Sequence, residues 1–189
     1  RLEECRQTLG VLNQEAESDP DALRVQALLM LLDGNVDQAQ VNIRRALDAK
    51  PHWEAIQFSA GVIWYYSALS PALLPPYTAE WPEPAFPMLI KEDDTSVDLL
   101  RLATDMFRSL VSKPGRADAE RKGMEIWLLG CLANDPERQP EAINLCRKML
   151  AEEPVDYRAV FWAGARQWPI DLSESDRAIE VLVREGSAS

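Results

Sequence analysis

GNVDQAQVNIRRALDAKP, residues 34–51, and PERQPEAINLCRKMLAEEP, residues 136–154, are written to one plan: a turn, an Ala, an amphipathic run and a closing Pro. In the first stretch Val36, Ala39, Ile43, Ala46 and Leu47 recur at intervals of three and four, which is the period of a helix with one apolar face. Pro51 ends it, because proline has no N–H to give to the preceding turn. One such helix cannot bury its own face, so a partner is expected on either side of it.

Upstream, Asp19-Pro20 offers an N-cap followed by proline at the first helical position. This predicts a helix over about 20–33 carrying Leu23, Ala27, Met30 and Leu31. Asp33-Gly34-Asn35 stops it, since Gly accepts the left-handed conformation of a helix end. Before it, Leu2, Cys5, Leu9, Leu12 and Ala16 form a stripe over 2–16. Downstream, helices are predicted over 54–69, 95–112, 117–133, 139–152, 155–167 and 174–185. Thr95 to Asp98 reads as a capping box, Pro114-Gly115 as a stop, and Ser173 to Asp176 as a cap for the last helix. Strand alternation is nearly absent. The sum is an all-α chain of about nine helices.

Residues 70–94, SPALLPPYTAEWPEPAFPMLIKEDD, break the pattern with six of the thirteen prolines. They cannot form a regular helix. Yet they carry Leu73, Leu74, Tyr77, Trp81, Phe86, Met88, Leu89 and Ile90, a load that a disordered linker avoids. Trp81, Phe86 and Met88 are the expected contacts of this insertion. They pack over the gap between helices 54–69 and 95–112, dock into the chain's own groove, or reach a partner.

The spacing of small residues then becomes informative. Ala27 and Gly61 are 34 apart, as are Gly130 and Gly164, and Pro51 and Pro154 are three such periods plus one apart. A 34-residue unit of helix, turn and helix is the mark of a tetratricopeptide repeat. The chain resembles that family over about residues 1–185. One repeat (20–51) carries Ala27, Gly34, Ala39, Ala46 and Pro51. Another (54–114) carries Ala60-Gly61, with the insertion where its turn should be, then Ala103, Phe107 and Pro114. A third (117–154) carries Leu129-Gly130, Ala142 and Pro154, and a divergent fourth (155–185) carries Gly164 and Ala178. Residues 1–17 form a preceding helix. The usual Trp and Tyr of the first repeat are absent.

The resemblance implies a single domain over 1–189, a right-handed α-solenoid of antiparallel helix pairs. It also implies a concave groove, lined by the first helix of each pair, that binds a protein or peptide segment. Ala27, Gly61, Gly130 and Gly164 would face the paired helix. Groove positions would be Arg24, Leu28 and Leu31 on the first repeat, and Phe58, Val62, Tyr65 and Tyr66 on the second. Trp127, Cys131 and Asn134 follow on the third, and Arg158, Trp162 and Trp168 on the last. The set is rich in rings that favour interfaces, although an aromatic at helical spacing also suits a core. Leu28 and Val62 stand where a carboxylate clamp would need polar groups, so an acidic chaperone tail is disfavoured.

Composition narrows the alternatives. The 189 residues carry a net charge of −11, which repels phosphate backbones, so nucleic acid is not expected as a partner. No apolar run approaches the ~20 residues of a membrane span. Cys5, Cys131 and Cys146 are no disulfide framework and no zinc site, and the expected location is cytoplasmic. His52, the only histidine, lacks a nucleophile to serve, and Glu92-Asp93-Asp94 lacks the glycine and spacing of a calcium loop. No phosphate loop or nucleophile elbow is present. The reading is therefore a non-enzymatic interaction module without metal or cofactor. The alternative is a regulatory or sensor arm whose contacts are mainly intramolecular. The chain starts at Arg1 rather than Met, so a larger parent chain is expected.

Overall fold

The computed structural model describes residues 19–69, 94–152 and 155–170. The helices expected over 2–16 and 174–185, and insertion residues 70–93 with Trp81, Phe86 and Met88, lie outside them. The described residues are helical and contain no strand. They form two compact units, one ending at Pro114 and the other beginning at Gly115.

The first unit holds α1 (Pro20–Leu32), α2 (Val36–Ala49), α3 (Glu54–Ala68) and α4 (Asp94–Val111). Asp19 caps α1 by accepting a 3.1 Å hydrogen bond from the Asp21 N–H, with Pro20 at the first helical position. Gly34 has a φ of +79°. Around it the Asn35 N–H reaches the Met30 carbonyl at 2.8 Å and the Gly34 N–H reaches Leu31 at 3.0 Å. This pair of bonds satisfies carbonyls the helix end would otherwise leave open. The α1–α2 turn is therefore set by three consecutive residues, Asp33 to Asn35. Helix α4 starts at Asp94, so Thr95 sits inside its first turn rather than ahead of it, a correction to the expected capping box.

Helix α1 packs on α2 and α3, α2 on α3, and α3 on α4. Helix α3 is apolar all round, as a helix enclosed on several sides must be. From Ile56 to Ala68 every residue but Phe58 is buried. The buried hydroxyl of Ser67 donates to the Ile63 carbonyl at 2.6 Å, and that of Thr104 to Leu100 at 2.7 Å, so neither is left unsatisfied.

The second unit holds α5 (Asp118–Asn134), a short 3-10 turn (Pro136–Arg138), α6 (Gln139–Leu150) and α7 (Tyr157–Ala165). Helix α5 packs on α6 and α6 on α7. Asp135 opens the 3-10 turn, accepting the Glu137 N–H at 3.0 Å. Asp156 does the same for α7 through Arg158.

The two stretches quoted at the outset bury matching positions. Helix α2 buries Ala39, Ile43 and Ala46, and α6 buries Ala142, Cys146 and Met149. Each pair is separated by one offset, 142 − 39 = 146 − 43 = 149 − 46 = 103. The glycine register is less uniform. A Cβ on Gly61 would meet the Phe107 ring, whereas one on Gly164 would have nothing within 4 Å. The helix expected over 174–185, which Gly164 would face by its spacing, lies outside the described residues. Within them, helix α7 turns Ala159 and Ala163 inward.

Candidate functional site

The groove positions expected on the first unit are mostly covered. Leu31, Val62, Tyr65 and Tyr66 are buried, and Arg24, Leu28 and Phe58 half-buried. Arg24 is tied along its own helix to Asp21 at 3.0 Å. Phe58 meets Phe107 edge-to-face at 5.9 Å, and Tyr65 meets Tyr66 at 5.6 Å. Burial raises the Tyr66 phenol above its ordinary range.

On the second unit Trp127, Cys131, Asn134, Trp162 and Trp168 are buried. The Asn134 amide donates to the Gly130 carbonyl at 2.9 Å, and its oxygen accepts from Arg166. The Arg166 guanidinium also lies over the Trp162 ring, 5.7 Å from its centre. Asn134 and Trp162 thus meet through a residue that periodicity did not single out. Arg158 is paired in two-pronged fashion with Asp156, at 2.9 and 2.7 Å. Burial pushes the Asp156 carboxyl up and the Arg158 guanidinium down from their ordinary values.

The large apolar side chains exposed among the described residues are different ones: Val41, Trp53, Leu102, Tyr157 and Phe161. Tyr157 and Phe161 are each 47% exposed and stack edge-to-face at 6.4 Å along α7. Gly164 and Ala165 continue the same outward side. The one-turn spacing of Tyr157 and Phe161 was legible; their outward phase was not, because Trp162 is the larger ring and takes the interior.

A second constellation was also missed. Arg121 and Glu125 of α5 face Lys148 and Glu152 at the end of α6 in a closed ring of alternating charge. Arg121 lies 2.7 Å from Glu125, Lys148 lies 2.6 Å from the same Glu125 oxygen, and Lys148 lies 3.9 Å from Glu152. Arg121 closes the ring with two bonds of 3.2 Å to Glu152. Glu125 is 0% exposed, and its other oxygen, Oε2, has no hydrogen-bond partner. The Arg121 bond to Glu152 holds that carboxyl below its usual value, and Arg121 is in turn held more firmly protonated. Arg121 and Glu125 are spaced i, i+4 within α5, and Lys148 of α6 is spaced i, i+4 from Glu152 just past its end, spacings visible in the sequence. Their closure on each other depends on hairpin register, which spacing alone does not fix.

His52 is exposed in the turn before α3. Cys131 and Cys146 are free and buried, and burial pushes the Cys146 thiol up to about 12. Its Sγ–H donates to the Ala159 carbonyl at 3.3 Å. Among the described residues no group of three or more His, Cys, Asp or Glu could hold a metal ion, and no helix is long and apolar enough to cross a membrane. Comparison of the chain with protein-family models, with curated proteins and with solved structures finds no match.

Proposed function

We propose that the chain is a tetratricopeptide-like α-solenoid that binds a protein or peptide segment. The single observation carrying this reading is the outward Tyr157–Phe161 pair on α7, a first helix in the repeat scheme. A solvent-facing aromatic pair at one-turn spacing is the kind of anchor that dominates binding energy at interfaces. The common 103-residue offset of the buried positions in α2 and α6 supports the repeat scheme itself. The binding surface is then drawn by the outward rings rather than by Trp127 and Trp162, whose replacement by alanine would open cavities.

The test is affinity capture with the full chain and with a Tyr157→Ala/Phe161→Ala variant, both checked for helicity by circular dichroism. A protein retained by the wild type and lost by the folded variant is the expected result. Equal retention by both, or none by either, overturns the reading.

A further inference from the structure

We propose that the Arg121–Glu125–Lys148–Glu152 ring is an acid-sensitive latch on the α5–α6 hairpin, whose opening lets the two free ends part about the turn at Asp135–Arg138. The geometry places the ring where a hairpin most needs a tie. The turn joins the end of α5 to the start of α6. The ring lies at the opposite end, in the early turns of α5, the last turn of α6 and the bend just past it. At the turn the chain is held by its own connectivity and by the Asp135 cap. At the free end, two acids and two bases alternate across the helix boundary.

Every member of the ring touches two of opposite sign, so losing one leaves a neighbour uncompensated. That matters most for Glu125, which has no water to turn to: a buried charge stripped of a partner is far costlier than a surface one. Of the two acids Glu152 is the accessible one, with its side chain 24% exposed against 0% for Glu125. Its carboxyl is held in the charged form mainly by Arg121, so acidification must first overcome that bond. Further charges bear on the same spot. Asp118 lies 3.6 Å from Arg121 and Lys122 lies 3.7 Å from Glu152. From α7, the Asp156 carboxylate is influenced by Lys122 and Glu125 and is paired with Arg158. Asp118 and Asp156 offer alternative partners for freed cations, but neither reaches across to α6.

The latch also bears on α7. Three residues separate Glu152 from Asp156, the cap of the helix that carries Tyr157 and Phe161. Parting of the free ends therefore displaces the start of that helix while the turn holds.

Hydrogen exchange of the full chain, read by mass spectrometry at neutral and at acidic pH, tests this. At neutral pH, Glu152→Gln is expected to speed exchange of amides 122–126 and 147–150 by about tenfold, the scale for weakening a partly buried ion pair. Amides 130–134, beside the turn, stay protected. Wild type in acid shows the same pattern, and the variant's extra response to acid is correspondingly smaller. Glu120→Gln, which removes an exposed carboxylate outside the ring, matches wild type. The proposal is overturned if Glu152→Gln exchanges like wild type at both pH values. It also fails if the loss of protection is uniform along the hairpin, or if Glu120→Gln reproduces it.

Discussion

A Cβ built on Gly61 would lie 2.7 Å from Cζ of Phe107 and 2.9 Å from its Cε2. No real Cβ tolerates that approach, so the absence of a side chain on α3 is what lets the α4 ring seat against it. Phe107 is fully buried and meets Phe58 edge-to-face, so it has little freedom to retreat.

Gly61→Ala should therefore destabilise the first unit despite improving helix propensity. Overpacking costs about 1–3 kcal/mol, against a gain of about 1 kcal/mol from replacing a helical glycine. Phe107→Leu in the same chain should recover part of the loss. Urea unfolding of the two single variants and the double variant measures this, and strict additivity would contradict the contact.

Gly164, 103 residues further along the chain, provides the opposite case. Nothing lies within 4 Å of its missing Cβ, and its backbone is helical. Gly164→Ala should stabilise α7 by up to about 1 kcal/mol, through propensity alone. The thermal midpoint should rise by a few degrees; a fall would place a neighbour where open space is seen.

The chain leaves the end of α7 through a residue in a disfavoured conformation. Gln167 has a φ of +52°, while its N–H reaches the Gly164 carbonyl and the Trp168 N–H reaches Ala163 at 3.0 Å. This is the same pair of bonds that Gly34 makes at the end of α1, built on a side chain that disfavours the left-handed region. Gln167→Gly should raise stability by about 0.5–1 kcal/mol. Unchanged or lower stability in a thermal melt would mean that the glutamine side chain compensates.

The Cys146 thiol is buried and its ionisation is pushed up to about 12, first by desolvation, with Arg147 opposing it. A thiol-specific reagent at pH 8 should modify it no faster than the second unit opens, because only the thiolate attacks. Denaturant should release the reaction. Prompt labelling in the native protein, assigned to Cys146 by mass spectrometry, would contradict its burial.

Glu152 makes a signed prediction about pH. Its folded-state pKa lies below the ordinary 4.5, chiefly because of the Arg121 hydrogen bond. A lowered acid pKa contributes stability that is complete above about 4.5 and is lost as pH falls through the folded value. The Asp156 shift runs the other way, so its ionisation opposes folding as pH rises past the ordinary 3.8. Wild type and Glu152→Gln should thus differ in thermal midpoint near neutrality and converge in acid. A difference that stays constant with pH would separate Glu152 from the titration.

Much of the local structure was written in the chain. The Asp19-Pro20 start and the Asp33-Gly34-Asn35 stop were legible because caps and turns are decided within a few residues, by a side-chain acceptor or a tolerated φ. The apolar faces of α2 and α6 were legible for the same reason: helical period is a local property. Which ring points outward on α7 was not, because Tyr157, Phe161 and Trp162 all satisfy a helical spacing and only the packing against α6 and the rest of the unit chooses among them. Glycine spacing likewise could not say that Gly61 is pressed by Phe107 while Gly164 faces open space. Nor could charge spacing within α5 and α6 say that Arg121, Glu125, Lys148 and Glu152 close on one another. Sequence by itself determined where helices start, stop and turn an apolar side. Tertiary structure decided which side chains meet, because contact between residues 23 to 46 positions apart depends on the register of whole helices, which no short stretch encodes.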